Sequence, residues 1–300
     1  MNIKEQVNFK GKFADSSSNH IVIAGMGGSG VSGRIFSELC SEKKISVVDS
    51  YKLPGFVNKD DYLVCVSYSG NTEETLSVAK QAKERGIKVH AITSGGKLSQ
   101  IADETITVPS GLQPRQALGY LLMPLINTFI PINDTERTNI LKALDLVNPD
   151  EARNMAKQIV DGGKIPYIIS WEPFSALSYR AKTQFNENSK LPAISHTLSE
   201  QNHNELVPLA VNKNYSDRFF FISIDGSENS RNQHRMKIMT ELAGIEFHHL
   251  ISKGETYLSR YFYLVHFLDL LTYHAGIFGK FDPENVSILE NLKKELSRFN

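Results

Sequence analysis

Three hydroxyl side chains and a glycine turn follow an apolar run at residues 64–75, VCVSYSGNTEET. Ser67, Ser69 and Thr72 surround Gly70 and Asn71, and Glu73 and Glu74 open what reads as a helix beginning near Thr72. A helix N-terminus presents unpaired backbone N–H groups and the positive end of its dipole, so hydroxyl donors gathered there make a compact cradle for a monophosphate. Ordinary capping of a helix uses one such hydroxyl. The S-x-S-G-N-T arrangement supplies three, which points to an anionic small ligand.

An earlier glycine loop, Gly25-Met26-Gly27-Gly28-Ser29-Gly30, also follows an apolar run, HIVIA. It matches G-x-G-x-x-G, and Asp49 stands where a dinucleotide-binding acid would sit. Glycines at such a turn serve any phosphate that must approach backbone N–H groups. A nicotinamide enzyme has no use for the second, hydroxyl-rich loop one strand–helix unit later. The two loops together favour a phosphorylated substrate over a dinucleotide.

The elements that must hold these loops alternate between short apolar runs and amphipathic stretches. Such alternation predicts parallel strands joined by helical crossovers, and therefore an α/β fold. Residues 134–160 are polar, helical in pattern and free of strand signal, and read as a bridge. After them the theme restarts with KIPYIIS, RFFFISIDG and IEFHHLIS as strands. The expectation is two tandem α/β units, 1–133 and 161–300, joined by a helical linker. The last helix is expected to start at the Asp282-Pro283 pair, with Val286, Leu289, Leu292 and Leu296 as its apolar face.

Bulk properties narrow the partners. The 33 basic and 33 acidic residues balance, which removes the electrostatic case for nucleic acid or an anionic membrane surface. The two cysteines, Cys40 and Cys65, form no metal or redox motif and suit a reducing compartment. The stretch ALGYLLMPLINTFIPI is broken by Pro124, Asn127 and Pro131 and is too short for a bilayer span. A cytoplasmic location is expected. The histidines show no spacing suited to zinc: His248 and His249 alternate along a strand, and His266 and His274 lie along an apolar helix.

Taken in order, GMGGSG, SYSGNTEET, VPSGLQPRQALGY, NENSK, NHNE and the final helix resemble the bifunctional phosphoglucose/phosphomannose isomerase family over nearly the whole chain. The resemblance implies two SIS domains, each a flavodoxin-like parallel-sheet αβα sandwich, in a homodimer that uses no metal or cofactor. It implies interconversion of glucose 6-phosphate and fructose 6-phosphate, with mannose 6-phosphate as a further substrate, through an enediolate. Gly28, Ser29, Ser67, Ser69 and Thr72 are the expected binding positions for the phosphate or the sugar.

The same resemblance assigns the chemistry. Glu187 takes the position of the base between C1 and C2, with Glu200 and Glu205 as competitors nearby in sequence. His203 takes that of the ring-opening group, contributed to the neighbouring subunit's site; a histidine titrates in the range such proton transfer needs. Arg115 matches the arginine that faces the enediolate, and its place after Pro114 at a helix start is a poor one for a merely solvated cation. Lys293, on the edge of the final apolar face, matches a lysine near the ring oxygen. Seven residues earlier the family tends to carry threonine or glutamine. Here Val286 stands in that register, with Ser287 one place on, and the mannose reaction is the part this departure puts at stake. A non-catalytic sugar-phosphate sensor and another phosphosugar isomerase are the rival readings.

Overall fold

A computed structural model describes residues 2–14, 17–130, 132–225, 230–296 and 298. Pro131 lies outside the described residues. The chain runs α1 (Ile3–Val7), β1 (His20–Ala24), α2 (Gly27–Leu39), β2 (Lys44–Val48), β3 (Tyr62–Val66), α3 (Glu73–Glu84), β4 (Val89–Thr93), α4 (Leu98–Ile101), β5 (Glu104–Thr107) and α5 (Leu118–Phe129). Two helices follow, α6 (Asp134–Asp145) and α7 (Pro149–Asp161). The remainder is β6 (Ile165–Ser170), α8 (Ser175–Gln184), β7 (Ile194–Thr197), α9 (Leu198–Asn204), α10 (Leu206–Val211), α11 (Lys213–Ser216), β8 (Phe219–Asp225), α12 (Ser230–Ala243), β9 (His248–Ile251), α13 (Tyr257–Phe278) and α14 (Ser287–Leu296).

Both sheets are wholly parallel. The first has the order β2-β1-β3-β4-β5 and the second β7-β6-β8-β9, so the second repeats the first without its fifth strand. Strands β3 and β4 are buried at every position, as central strands of a parallel sheet covered on both faces should be, and β4 buries His90 and Thr93 along with its apolar residues. Strand order reverses between β1 and β3, and ligands of open parallel sheets bind in the crevice at the carboxyl ends of strands flanking such a switch. The loops leaving those two strands are GMGGSG and SYSGN.

Apolar side chains of both sheets, among them Ile21, Ile23, Ile168 and Ile222, belong to one continuous buried cluster. Helix α13 runs through it with Tyr261, Leu264, Leu268 and Leu271 fully buried, packs against α6 and α7, and fixes the two halves relative to each other. Glu38 of α2 adds a polar link, accepting from the Ala176 amide at the start of α8 (2.7 Å) and from the Tyr261 hydroxyl (2.7 Å). No helix among the described residues is long and apolar enough to cross a membrane.

Two expectations need correction. Strand β7, with the sequence ISHT, is absent from the pattern reading; it is four half-buried residues at a sheet edge, too short and too polar to declare itself. The final helix starts at Ser287, not at Asp282-Pro283, because tertiary donors take the carbonyls of Asp282 and Pro283. Its expected apolar face is not buried either. No residue of α14 is buried within the chain, and Ile288, Leu289, Leu292 and Leu296 are 76%, 41%, 54% and 46% exposed.

Candidate active site

Gly70 makes the SYSGN turn possible. Its φ is +67°, and a Cβ there would lie 1.8 Å from the Gly95 carbonyl oxygen, so neither the conformation nor the space admits a side chain. Ser67 is buried, and its hydroxyl shares a 2.9 Å hydrogen bond with the Thr72 hydroxyl. Thr72 occupies the cap position of α3 without capping it by its side chain. The first turn of α3 is thus left without a side-chain acceptor, as an anion cradle requires. Ser69 is exposed and accepts from the Asn71 amide. Thr75, in the first turn of α3 and 2% exposed, carries a buried hydroxyl without a hydrogen-bond partner among the described residues. The sequence reading passed over it.

Ser29 and Gly28 work on the framework. The Tyr68 amide donates to the Ser29 hydroxyl, which binds the glycine loop to the hydroxyl loop. A Cβ on Gly28 would lie 2.9 Å from both the Cα and the N of Arg115. The absent side chain at position 28 is therefore what lets the Arg115 backbone press against the start of α2. Tyr68 aims the same segment from the other side: its hydroxyl donates to the Pro109 carbonyl and accepts from the Leu112 amide.

Arg115 lies in a 3-10 turn, Pro114–Ala117, and is only 3% exposed. Every nitrogen of its guanidinium is engaged across the boundary between the halves. Nε donates to Asn188 Oδ1 (2.8 Å), one terminal nitrogen to Glu187 Oε2 (3.1 Å) and the other to the Pro283 carbonyl (2.6 Å). Asn188 and Glu187 sit in a single π-helical turn, Phe185–Ser189, that extends α8. Wide turns of this kind occur mostly at functional sites and re-aim a side chain out of the helical register. Glu187 is partly exposed, so the carboxylate faces a buried cation on one side and the crevice on the other.

A second layer holds Arg115 in place. Arg180 of α8, 1% exposed, donates to Asp269 of α13 (2.6 Å) and at 3.4 Å to the Arg115 carbonyl. Gln184 donates to the same Asp269 oxygen, and Asn188 to the Thr272 hydroxyl. On the far side, Gln6 of α1 accepts from the Gly119 amide and donates to the Gln116 carbonyl. Lys190, in the left-handed region just past the π turn, donates to the carbonyls of Glu187 and Asp282, both at 2.7 Å. Burial, then the Arg115 charge, presses its pKa below the ordinary lysine value.

Within one chain, direct contacts join Gly28 to Arg115 and Arg115 to Glu187, while Ser29 is tied through the Tyr68 amide to the loop that carries Ser67, Ser69 and Thr72. His203 on α9 and Lys293 on α14 are both exposed, and neither shares a hydrogen bond or ion pair with Arg115 or Glu187. Of the competing acids, Glu200 accepts from Asn204 and Glu205 pairs with His196; neither meets Arg115. Asp49 is ion-paired with Arg34. Asn188 and Lys190 were missed because their roles depend on carbonyls and a hydroxyl brought from α13 and from the segment after it, which no local pattern reveals.

The family model for the SIS domain matches residues 16–124, and that for the bacterial phospho-glucose isomerase C-terminal SIS domain matches residues 148–296. A protein of Thermoplasma acidophilum named bifunctional phosphoglucose/phosphomannose isomerase is 46% identical over 298 residues, which span 98% of this chain and 95% of the relative. A protein of the same name from Thermoplasma volcanium is 45% identical over 300 residues, 99% and 98% of the two chains. Among solved structures, a hypothetical protein from Thermus thermophilus superposes with a TM-score of 0.76 at 14% identity, over 99% of this chain and 86% of that one. That likeness shows the fold.

Proposed function

The chain belongs to the bifunctional phosphoglucose/phosphomannose isomerase family, and from that membership we propose that it interconverts glucose 6-phosphate and fructose 6-phosphate, with mannose 6-phosphate as a second aldose. One observation carries the reading: a buried arginine from one SIS domain meets a carboxylate from the other beside a hydroxyl-lined helix N-terminus. A cation adjoining a base, at a distance set by the fold, is what proton abstraction next to a carbonyl needs.

The 6-phosphate binds at the start of α3 among Ser67, Ser69 and Thr72, with Gly28 and Ser29 shaping the adjoining wall. Its remote binding energy holds C1 and C2 against Glu187. In the aldose-to-ketose direction Glu187 takes the C2 proton, and the electrons form the enediolate, whose negative oxygens face Arg115. The same carboxyl group then returns the proton to C1. The hydroxyl proton of the 2-oxygen passes to the 1-oxygen, so the 2-oxygen ends as the ketose carbonyl and the 1-oxygen as a hydroxyl, and the step needs no outside reductant or oxidant.

Ring opening is assigned to the partner subunit's His203. Support comes from the exposure of His203 on its own chain and from the uncovered apolar side of α14, both expected of surfaces that meet a second copy. Lys293 reaches the ring oxygen only once α14 is seated.

The test is a coupled assay of purified, metal-chelated protein with fructose 6-phosphate, reading glucose 6-phosphate and mannose 6-phosphate separately, beside Glu187→Gln. Turnover that survives chelation and collapses in the variant is the expected result. The ratio of the two products measures what Val286 costs the mannose reaction. Binding without turnover in the wild type would replace the enzyme with a sugar-phosphate sensor.

A further inference from the structure

Lys190 has a backbone conformation that an L-residue adopts at a cost, φ +56°, where glycine would be free of strain. Its ammonium is committed to two carbonyls, Glu187 O and Asp282 O, each at 2.7 Å. The next carbonyl along the chain, Pro283 O, is taken by the Arg115 guanidinium at 2.6 Å. Two cations from the two SIS domains thus grip consecutive carbonyls of the segment that leads into α14. Each also holds Glu187, Arg115 by its carboxylate and Lys190 by its backbone.

We propose that Lys190 is a positioning residue for the isomerisation, a strap that ties the turn bearing Glu187 to the 282–286 segment and so fixes at once the aim of the base and the seat of α14. The inference rests on Glu187 being the base. It follows from connectivity: without the ammonium, the Glu187 carbonyl and the Asp282 carbonyl lose their common donor. Among the described residues, the hydrogen-bonded link from the π turn to the final segment then runs through Arg115 alone. A charge-assisted bond made twice at 2.7 Å is among the stronger polar contacts a half-exposed lysine can offer. A small error in the position of a base costs far more in rate than in stability.

Three variants separate the amine from the backbone. Lys190→Gly keeps the left-handed conformation and removes the amine, Lys190→Met keeps the stem, and Lys190→Arg restores a donor. For Lys190→Gly, kcat should fall by about tenfold to a hundredfold, the range for a mispositioned catalytic group. KM for fructose 6-phosphate should stay within about twofold, since the phosphate loop is untouched. Lys190→Arg, or propylamine added to Lys190→Gly, should recover part of the rate, and backbone amides of 284–287 should exchange hydrogen faster in the glycine variant.

A kcat for Lys190→Gly within about twofold of wild type would overturn the proposal. So would a loss that follows the melting temperature and is restored by neither the arginine variant nor the amine. If the wild type itself fails to isomerise, the functional reading falls first. The exchange measurement still decides the strap, because equal rates in wild type and Lys190→Gly would remove it.

Discussion

Arg115 and Glu187 lie 72 positions apart in sequence, on different SIS domains, with a terminal guanidinium nitrogen 3.1 Å from the carboxylate. The contact is short because each residue is held from behind. Gly28 lets the arginine backbone in, and the π turn swings the carboxylate out of the α8 register. The pair therefore reads the relative placement of two domains, and whatever holds that placement should be felt in both stability and rate.

Asp269 is the first such support. It is 3% exposed and accepts from Arg180 and Gln184, and Arg180 in turn reaches the Arg115 carbonyl. Asp269→Ala leaves a buried guanidinium without its counter-charge, a change that costs about 3–5 kcal/mol. Urea unfolding should show that loss. A shift below about 1 kcal/mol would mean that Arg180 finds another acceptor at little cost.

Glu38 gives the fold a pH dependence. Burial outweighs its hydrogen bonds to Tyr261 and Ala176 and pushes its pKa up from 4.5 to about 7, with the nearby Glu172 charge acting in the same direction. The folded state holds the proton more tightly than the unfolded one. This contribution to stability is therefore whole below pH 4.5 and lost as pH rises through about 7. Its full size is about 3 kcal/mol on the usual conversion of pKa to free energy. Between pH 4.5 and pH 8, Glu38→Gln should remove about that much of the fall in unfolding free energy. Parallel curves for wild type and variant would show that Glu38 does not titrate in this window.

If His203 serves the neighbouring subunit, subunit mixing will report it. Glu187→Gln and His203→Ala, each inactive alone, should regain about a quarter of wild-type activity when dissociated and reassociated together, because half the dimers are mixed and each mixed dimer rebuilds one intact site. No recovery in mixtures shown by native mass to contain heterodimers would place His203 in its own chain's site, or in none.

The strand–turn–helix geometry of SYSGNTEET was legible because its logic is local: a strand, a turn only glycine permits, hydroxyls, and a helix start within nine residues. The repeated strand–helix alternation likewise announced both parallel sheets. Arg115 and Glu187 were legible as candidates through their surrounding motifs, but their pairing was not, since nothing within either motif encodes a distance to the other. Strand β7 was hidden by its brevity and polarity, and Lys190 by having a task that exists only after the chain has returned at Asp282. Of the apolar spacing read for the last helix, Leu289, Leu292 and Leu296 fall on α14 and Val286 lies just before its first residue. Amphipathicity says that such a face needs cover without saying which chain provides it.

The hydrogen bond from Arg115 to the Pro283 carbonyl carries one more consequence, for biosynthesis. A ribosome that has released the first 130 residues has already delivered the glycine loop, the hydroxyl loop and the arginine. Glu187 arrives more than fifty residues later, and the carbonyl that completes the guanidinium's shell comes almost a hundred residues after it. A chain truncated before Pro283 would leave one guanidinium nitrogen of Arg115 without the carbonyl that accepts its hydrogen bond. A nascent chain that has not yet delivered Pro283 therefore holds Arg115 short of one acceptor that the later chain provides.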